Sequence, residues 1–188
     1  MNSGAGSAGN WSRRKIKLQP QHTWTCRPGY RVFVAGRGAV RFDIPAGWLI
    51  VPDEDSLKFY NKQPPNDDCR LAVSYIQPPA EWSGIPLTTV VEAATSRQND
   101  GPVREWGSVT TLRRDDLEIG WRESRFEDPV LKREARSRLA IGRRLHIQCL
   151  ITFDYWPSDA KWCLPAWDTA LETLDLARYI DNPAAGPV

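Results

Sequence analysis

Apolar and polar residues alternate along much of this chain at the two-residue period of a strand. Val40, Phe42 and Ile44 alternate with Arg41 and Asp43, Leu71, Val73 and Tyr75 with Ala72 and Ser74, and Leu117, Ile119 and Trp121 with Glu118 and Gly120. Successive side chains of a strand point to opposite faces, so these stretches predict strands with one buried face and one wetter face. Further strands are expected over 30–35, 57–60, 107–113 and 131–141, and the run 145–156 reads as the central apolar strand. Two helices interrupt the pattern. One opens at Pro86, where a missing N–H costs nothing, with Leu87, Val90, Val91 and Ala94 on one face and a stop at Asn99-Asp100-Gly101-Pro102. The other is expected over 165–173, burying Trp167, Ala170, Leu171 and Leu174. This order predicts an α+β fold: an antiparallel sheet with the helices packed on it.

The punctuation fits that architecture. Gly36-Arg37-Gly38 is followed by a strand pattern, so it is a hairpin turn; a phosphate loop needs a helix next, with its N-terminus facing the anion. Gly142 is expected to turn the chain between the last two long strands. Asp53-Glu54-Asp55 and Asp67-Asp68 lack the acidic-and-glycine spacing of a calcium loop and read as solvated turns.

The 188 residues fit one domain with a substantial core. Residues 1–20 read as a flexible basic N-terminal tail, 21–180 as the domain and 181–188 as a C-terminal tail. Net charge is only +2, but residues 1–41 carry eight Lys or Arg and no acid. Most such tails are solvated, and the basic run 132–144 falls on a strand where Arg136, Arg138 and Glu134 share a face. Cross-strand pairing, with Glu118 and Arg122 available opposite, accounts for it more simply than nucleic acid. No run reaches the roughly 20 apolar residues of a membrane span. No signal peptide is visible, so a cytoplasmic location is expected. Cys26, Cys69, Cys149 and Cys163 form no C-x-x-C pair and are expected as free thiols.

No stretch has the residue types and spacing of a catalytic, cofactor or metal motif. His146 would be the general base most worth testing, placed by the pattern in a strand between Leu145 and Ile147. The residue type in excess is tryptophan, nine in 188. Trp48, Trp121 and Trp167 have natural places in the core. Trp82, Trp106, Trp156 and Trp162 fall in loops or strand ends among Pro, Ser, Lys and Glu. Tryptophan is enriched at the buried centres of protein interfaces, so these four are candidate partner-binding residues; the alternative is that they cap the open ends of the fold. A small-molecule pocket between sheet and helix, or an unrecognised enzyme using it, stays open beside them.

Phe42-Asp43-Ile44-Pro45-Ala46-Gly47-Trp48, followed by the strand 145–155, the loop 156–164, a helix and the final Leu174-Asp175-Leu176, resembles the PsbP-like (Mog/PsbP/DcrB-like) superfamily over about residues 38–180. The resemblance implies an α/β/α sandwich on an antiparallel sheet. It also implies a non-enzymatic role, binding another protein as an adaptor or chaperone, with no cofactor and no shared catalytic residues. The basic N-terminal extension and the missing lipid and transit signals depart from that pattern.

Overall fold

The computed structural model describes residues 16–82, 84–96 and 103–187. Trp11, the Arg13-Arg14-Lys15 cluster and the expected helix stop at 99–102 lie outside them. Strands β1 (Tyr30–Ala35) and β2 (Val40–Pro45) form the expected hairpin, and β2 pairs on its other edge with the short β11 (Asp175–Leu176). The main sheet runs β3 (Leu49–Pro52), β4 (Leu57–Tyr60), β5 (Cys69–Ile76), β10 (Ile147–Tyr155), β9 (Glu134–Arg144), β8 (Leu117–Glu127) and β6 (Val103–Trp106). Strand β7 (Thr110–Arg114) pairs with the start of β8. Every pairing is antiparallel and β10 is central. The fold is the expected α+β one. On one face, however, the three-stranded sheet joins helix α2 (Ala160–Thr173) as the covering layer, while α1 (Leu87–Ser96) covers part of the other.

The larger core follows from the alternation of β10. Ile147, Cys149, Ile151, Phe153 and Tyr155 are all buried on the α2 side. Trp167 of α2 packs on Phe153 with ring centroids 5.7 Å apart, and on Trp121 at 6.1 Å. Phe33, Phe42 and Phe59 meet at 4.9–5.6 Å and join the small sheet to β4. The smaller core forms where Leu87 and Val91 of α1 meet Leu139 and Ile141 of β9. Gly120 lies beneath that helix; a Cβ there would stand 3.1 Å from a Val91 methyl, so glycine sets how closely helix and sheet approach.

Four expectations are corrected. Helix α2 begins at Ala160, not at Pro165, which sits inside it. Burial of Cys163, Ala166, Trp167, Ala170 and Leu171 at helical spacing draws in the earlier turn, and packing outweighs the proline. The face of α1 turned to the core is Leu87, Val91 and Thr95, with Val90 and Ala94 only half-buried beside it. Gly142 is no turn but the third-last residue of β9. Its hydrogen faces the Cys149 thiol and the ends of Leu174 and Leu176, all within 2.9–3.2 Å of where a Cβ would be. The turn falls instead at Leu145-His146, so His146 is an exposed loop residue rather than a strand residue. Strands β3 and β6 were not anticipated. β3 is an exposed edge whose Asp53 N–H bonds inward to the Ser56 carbonyl at 2.9 Å, while Arg31 donates to the Trp48 carbonyl just before it.

Residues 19–24 and 183–185 meet, the first and last parts of the described region. Gln19 N–H donates to the Ala184 carbonyl at 2.9 Å, Thr23 N–H to Ala185 at 2.7 Å and Trp24 Nε1 to Pro183 at 2.8 Å. At 181–187, read from the sequence as a tail, the backbone is therefore tied to residues 19–24.

Gly142→Ala is expected to lower stability by about 1–3 kcal/mol, since a methyl must enter a filled space without any backbone relief. Urea denaturation checks it; an unchanged midpoint would show that the β9–β11 contact has room to relax.

Candidate functional site

Helix α1 lies over β8 and β9 and stops short of β10 and β5. Register places Ser74, Leu150, Ile141 and Gly120 in one row across this face, and Ile76, Gln148, Arg143 and Glu118 in the next. The uncovered part of these rows, the flank of α1 and the loop before it enclose an apolar groove of about 540 Å³. Ile76 is 49% exposed, Trp82 42%, Ile85 37% and Leu150 36%. Further along the same face the surface turns polar, where Arg70 pairs with Asp154 and Ser137 donates to that carboxylate at 2.7 Å. The apolar patch is thus bounded.

The loop carrying Trp82 and Ile85 is held from below. Arg143 Nη1 donates to the Ile85 carbonyl at 2.8 Å, and its Nη2 donates to Glu118 at 2.8 Å. One cross-strand ion pair therefore fixes the loop backbone while leaving the Trp82 ring accessible.

The four tryptophans singled out by sequence occupy different surroundings. Trp82 lines the groove. Trp162 is 75% exposed on the outer side of α2, beneath Lys161 Nζ at 5.0 Å. Trp106, on β6, is half-buried with the Arg122 guanidinium 4.8 Å above it, and Trp156, after β10, carries Arg133 at 3.5 Å. Each of these last three rings is faced by a cation, an arrangement that stabilises a partly exposed aromatic locally. Ile76, Ile85, Leu150 and Leu145 escaped sequence reasoning. Leu150 had a signal, being an apolar residue on the otherwise polar side of β10, between Gln148 and Thr152.

The basic run on β9 is consumed by pairing, as cross-strand geometry requires, although Glu123 rather than Glu118 is the partner of Arg136 and Arg138. Glu123 accepts from Arg138 Nε at 2.7 Å, from Arg136 Nη1 at 2.8 Å and from the Tyr155 hydroxyl at 2.7 Å. Burial pushes the Glu123 carboxyl upward, but the three donors together outweigh it and hold the group below a free glutamate's 4.5. Burial, with the hydrogen bond to Glu123, pushes the Tyr155 hydroxyl up to about 12. A second cavity, also near 540 Å³, gathers Arg27, Arg41, Arg144 and Arg178 with Asp43, Asp116 and Asp175. Its charges are largely matched: Arg144 bonds Asp116 at 2.7 Å and Asp175 at 2.8 Å, and Arg178 also reaches Asp175. Asp43 is 5% exposed, and burial raises its carboxyl against the Arg27 backbone N–H and the Arg41 charge. Among the described residues no group of three or more His, Cys, Asp or Glu is placed to hold a metal ion.

The Alr1449 family model matches residues 31–180, most of the folded region just described. The chain belongs to the Alr1449 family. It is 42% identical to the uncharacterized protein alr1449 of Nostoc sp. (strain PCC 7120) over 179 residues, covering 94% of this chain and 92% of that protein. This chain also shares its fold with PsbP and Mog1. Cyanobacterial PsbP from Synechocystis sp. PCC 6803 superposes with a TM-score of 0.61 at 12% identity, over 82% of this chain and 99% of that one. The Ran-binding protein Mog1p of Saccharomyces cerevisiae does so at 0.56 and 9%, over 83% and 98%. A Bacteroides thetaiotaomicron protein matches at 0.54 and 16%, over 79% of this chain but 49% of its own length. At these identities the likeness is one of fold. No helix among the described residues is long and apolar enough to cross a membrane.

Because Glu123 is held ionised in the folded protein, its contribution to stability is complete above pH 4.5 and is lost as pH falls through the depressed folded value. Glu123→Gln should cost about 2 kcal/mol at pH 7 and flatten the acid limb of a plot of melting temperature against pH, because two arginines lose their shared carboxylate. Parallel acid limbs for the two proteins would refute this.

Proposed function

We propose that this Alr1449-family chain is a protein-binding module, an adaptor or chaperone-like domain, that takes an apolar surface of its partner into the groove beside α1. The observation that carries the reading is the convergence of Ile76, Trp82, Ile85 and Leu150 on one groove. Scattered apolar residues on a surface are ordinary, but a contiguous patch rimmed by polar groups marks an interaction site. Trp82 at its edge, on a loop braced by Arg143, has the features of an interface anchor. The fold supports the reading to the extent that one neighbour, Mog1p, is itself a Ran-binding protein. A cytoplasmic setting is supported by four cysteines without a disulfide.

A second reading is favoured by the groove's size. About 540 Å³ falls in the range of small-molecule pockets, and Ser74, Thr89 and Gln148 offer polar groups on its walls. One experiment separates the two. A photo-crosslinking amino acid at Gln148, irradiated in the native host, is expected to yield a covalent protein adduct at that position. An adduct of a few hundred daltons would favour the ligand reading, and no adduct at all would remove the groove from both.

Trp82→Ala is expected to cost about 1 kcal/mol of stability or less, since the ring is far from fully buried. It should weaken capture of the crosslinked partner by about 2 kcal/mol, some 30-fold. A large drop in melting temperature with capture intact would show that the ring serves the fold instead.

A further inference from the structure

Two of the four cysteines touch. Cys69 opens β5 and pairs in register with Tyr155, the last residue of β10, and both side chains join the core on the α2 side. From Tyr155 the chain turns through Pro157–Asp159 and enters α2. That path brings Cys163 back over the same corner of the sheet, on the buried side of the helix with Ala166 and Trp167. There the Cys69 thiol donates a hydrogen bond to the Cys163 sulfur. The two residues are 3% and 2% exposed.

A buried cysteine ordinarily serves as a small apolar side chain, and Cys149 fits that role. It sits against Gly142 in the core, and burial pushes its thiol up to about 12. The pair differs in three respects. The hydrogen bond from Cys69 favours the Cys163 thiolate and outweighs burial, so the Cys163 thiol is held below its ordinary value while that of Cys69 is raised. Of the charges that reach Cys163, Lys62 favours the thiolate, and Asp159 and Asp68 oppose it. Second, the pair has an entrance. A cavity of about 410 Å³ bordered by Asp67, Asp68 and Trp156 has Cys69 on its wall, so a small molecule entering it stands beside the two sulfurs. Third, Cys163 rides on the least tied turn of α2. Asp159 gives that turn no side-chain cap, and Pro165, lacking an N–H, leaves the Lys161 carbonyl without its helix bond. The turn can therefore settle toward β5, as a sulfur–sulfur bond requires.

An attacking thiolate in contact with a second thiol is the arrangement of a reactive and a resolving cysteine. We propose that Cys69 and Cys163 are a redox couple, a dithiol that peroxides convert to a disulfide and low-molecular-weight thiols restore. The Cys163 thiolate attacks one peroxide oxygen; a sulfur–oxygen bond forms, the oxygen–oxygen bond breaks, and the departing hydroxide takes up a proton as water. Cys69 then loses its proton and attacks the sulfenic sulfur. The disulfide forms, the sulfur–oxygen bond breaks and a second water leaves. Each sulfur is oxidised by one electron, and the peroxide is reduced by two. Two equivalents of a thiol such as glutathione reverse the change by exchange. A disulfide of this transient kind is compatible with a reducing compartment, and it ties the start of β5 to α2 on the face of the sheet away from the groove.

The test uses the full chain carrying Cys26→Ser, so that the exposed thiol takes no part; serine can keep the bond to the Tyr30 carbonyl. The folded protein is treated briefly with a small excess of hydrogen peroxide, quenched with catalase, denatured and alkylated. The three remaining thiols are expected to fall to one, Cys149, with the mass lowered by two hydrogens. Cys69 and Cys163 should appear in one cross-linked peptide, and dithiothreitol should restore all three thiols. Adding Cys69→Ala should leave Cys163 as a sulfenic acid that dimedone traps, whereas Cys163→Ala should leave Cys69 unoxidised. Three thiols that survive peroxide, a cross-link that includes Cys149, or oxidation of Cys163 with Cys69 still free overturns the proposal. The chain with both cysteines present decides this by itself, whether or not the alanine variants fold.

Discussion

Strand β10 is hydrogen-bonded along its whole length to β5 on one side and β9 on the other, and this two-sided ladder governs the molecule. Once both edges are paired, alternation dictates the rest. Ile147, Cys149, Ile151, Phe153 and Tyr155 must face one way, and an apolar row of five needs a thick cover, which α2 and the three-stranded sheet provide. Gln148, Leu150, Thr152 and Asp154 face the other way, where a single short helix suffices and leaves a flank open. The groove is thus a product of unequal demand on the two faces of one strand.

The charged side chains within the covered face follow the same logic. Arg138 lies beneath α2 with its guanidinium 4.9 Å from the Trp121 ring, 5.7 Å from Tyr155 and 5.8 Å from Trp167. Removing a cation from water in this way is tolerable only with a bonded anion, and Glu123 is that anion. Its carboxylate links β8, β9 and β10, so their register is specified by charge as well as by hydrophobic pattern.

Much of this was legible in the order of residues. The alternation in β2, β5, β8 and β10, and the Phe42–Trp48 run with its following turn, placed the sheet and its centre, because period-two patterning is a direct imprint of a half-buried strand. Elements that break the pattern were missed for physical reasons. β3 is Leu-Ile-Val-Pro with every residue exposed, so there is no inside and outside to alternate. Gly142 serves packing within a strand, a role identical in sequence to a turn glycine until its neighbours are known. The groove draws Ile76, Trp82, Ile85, Val90 and Leu150 from separate elements, each unremarkable in its own segment; only Trp82, aromatic among Pro and Ser, stood out. The conformation of Leu145, with φ at +50°, left no trace, since nothing in its neighbours announces a positive φ.

The β3 edge bears on how the protein survives at high concentration. Apolar residues at a sheet's rim ordinarily recruit further strands and seed fibres. Asp53 bonds inward, and inward bonding alternates along an antiparallel pair, so Val51 and Leu49 also bond inward to β4; Ile50 and Pro52 face out. Proline brings no N–H, and the carbonyl preceding the strand is already taken by Arg31. An incoming strand would find a single donor, that of Ile50. The rim can thus stay greasy without becoming a template, and the molecule keeps its sheet finite without spending charged residues on that edge.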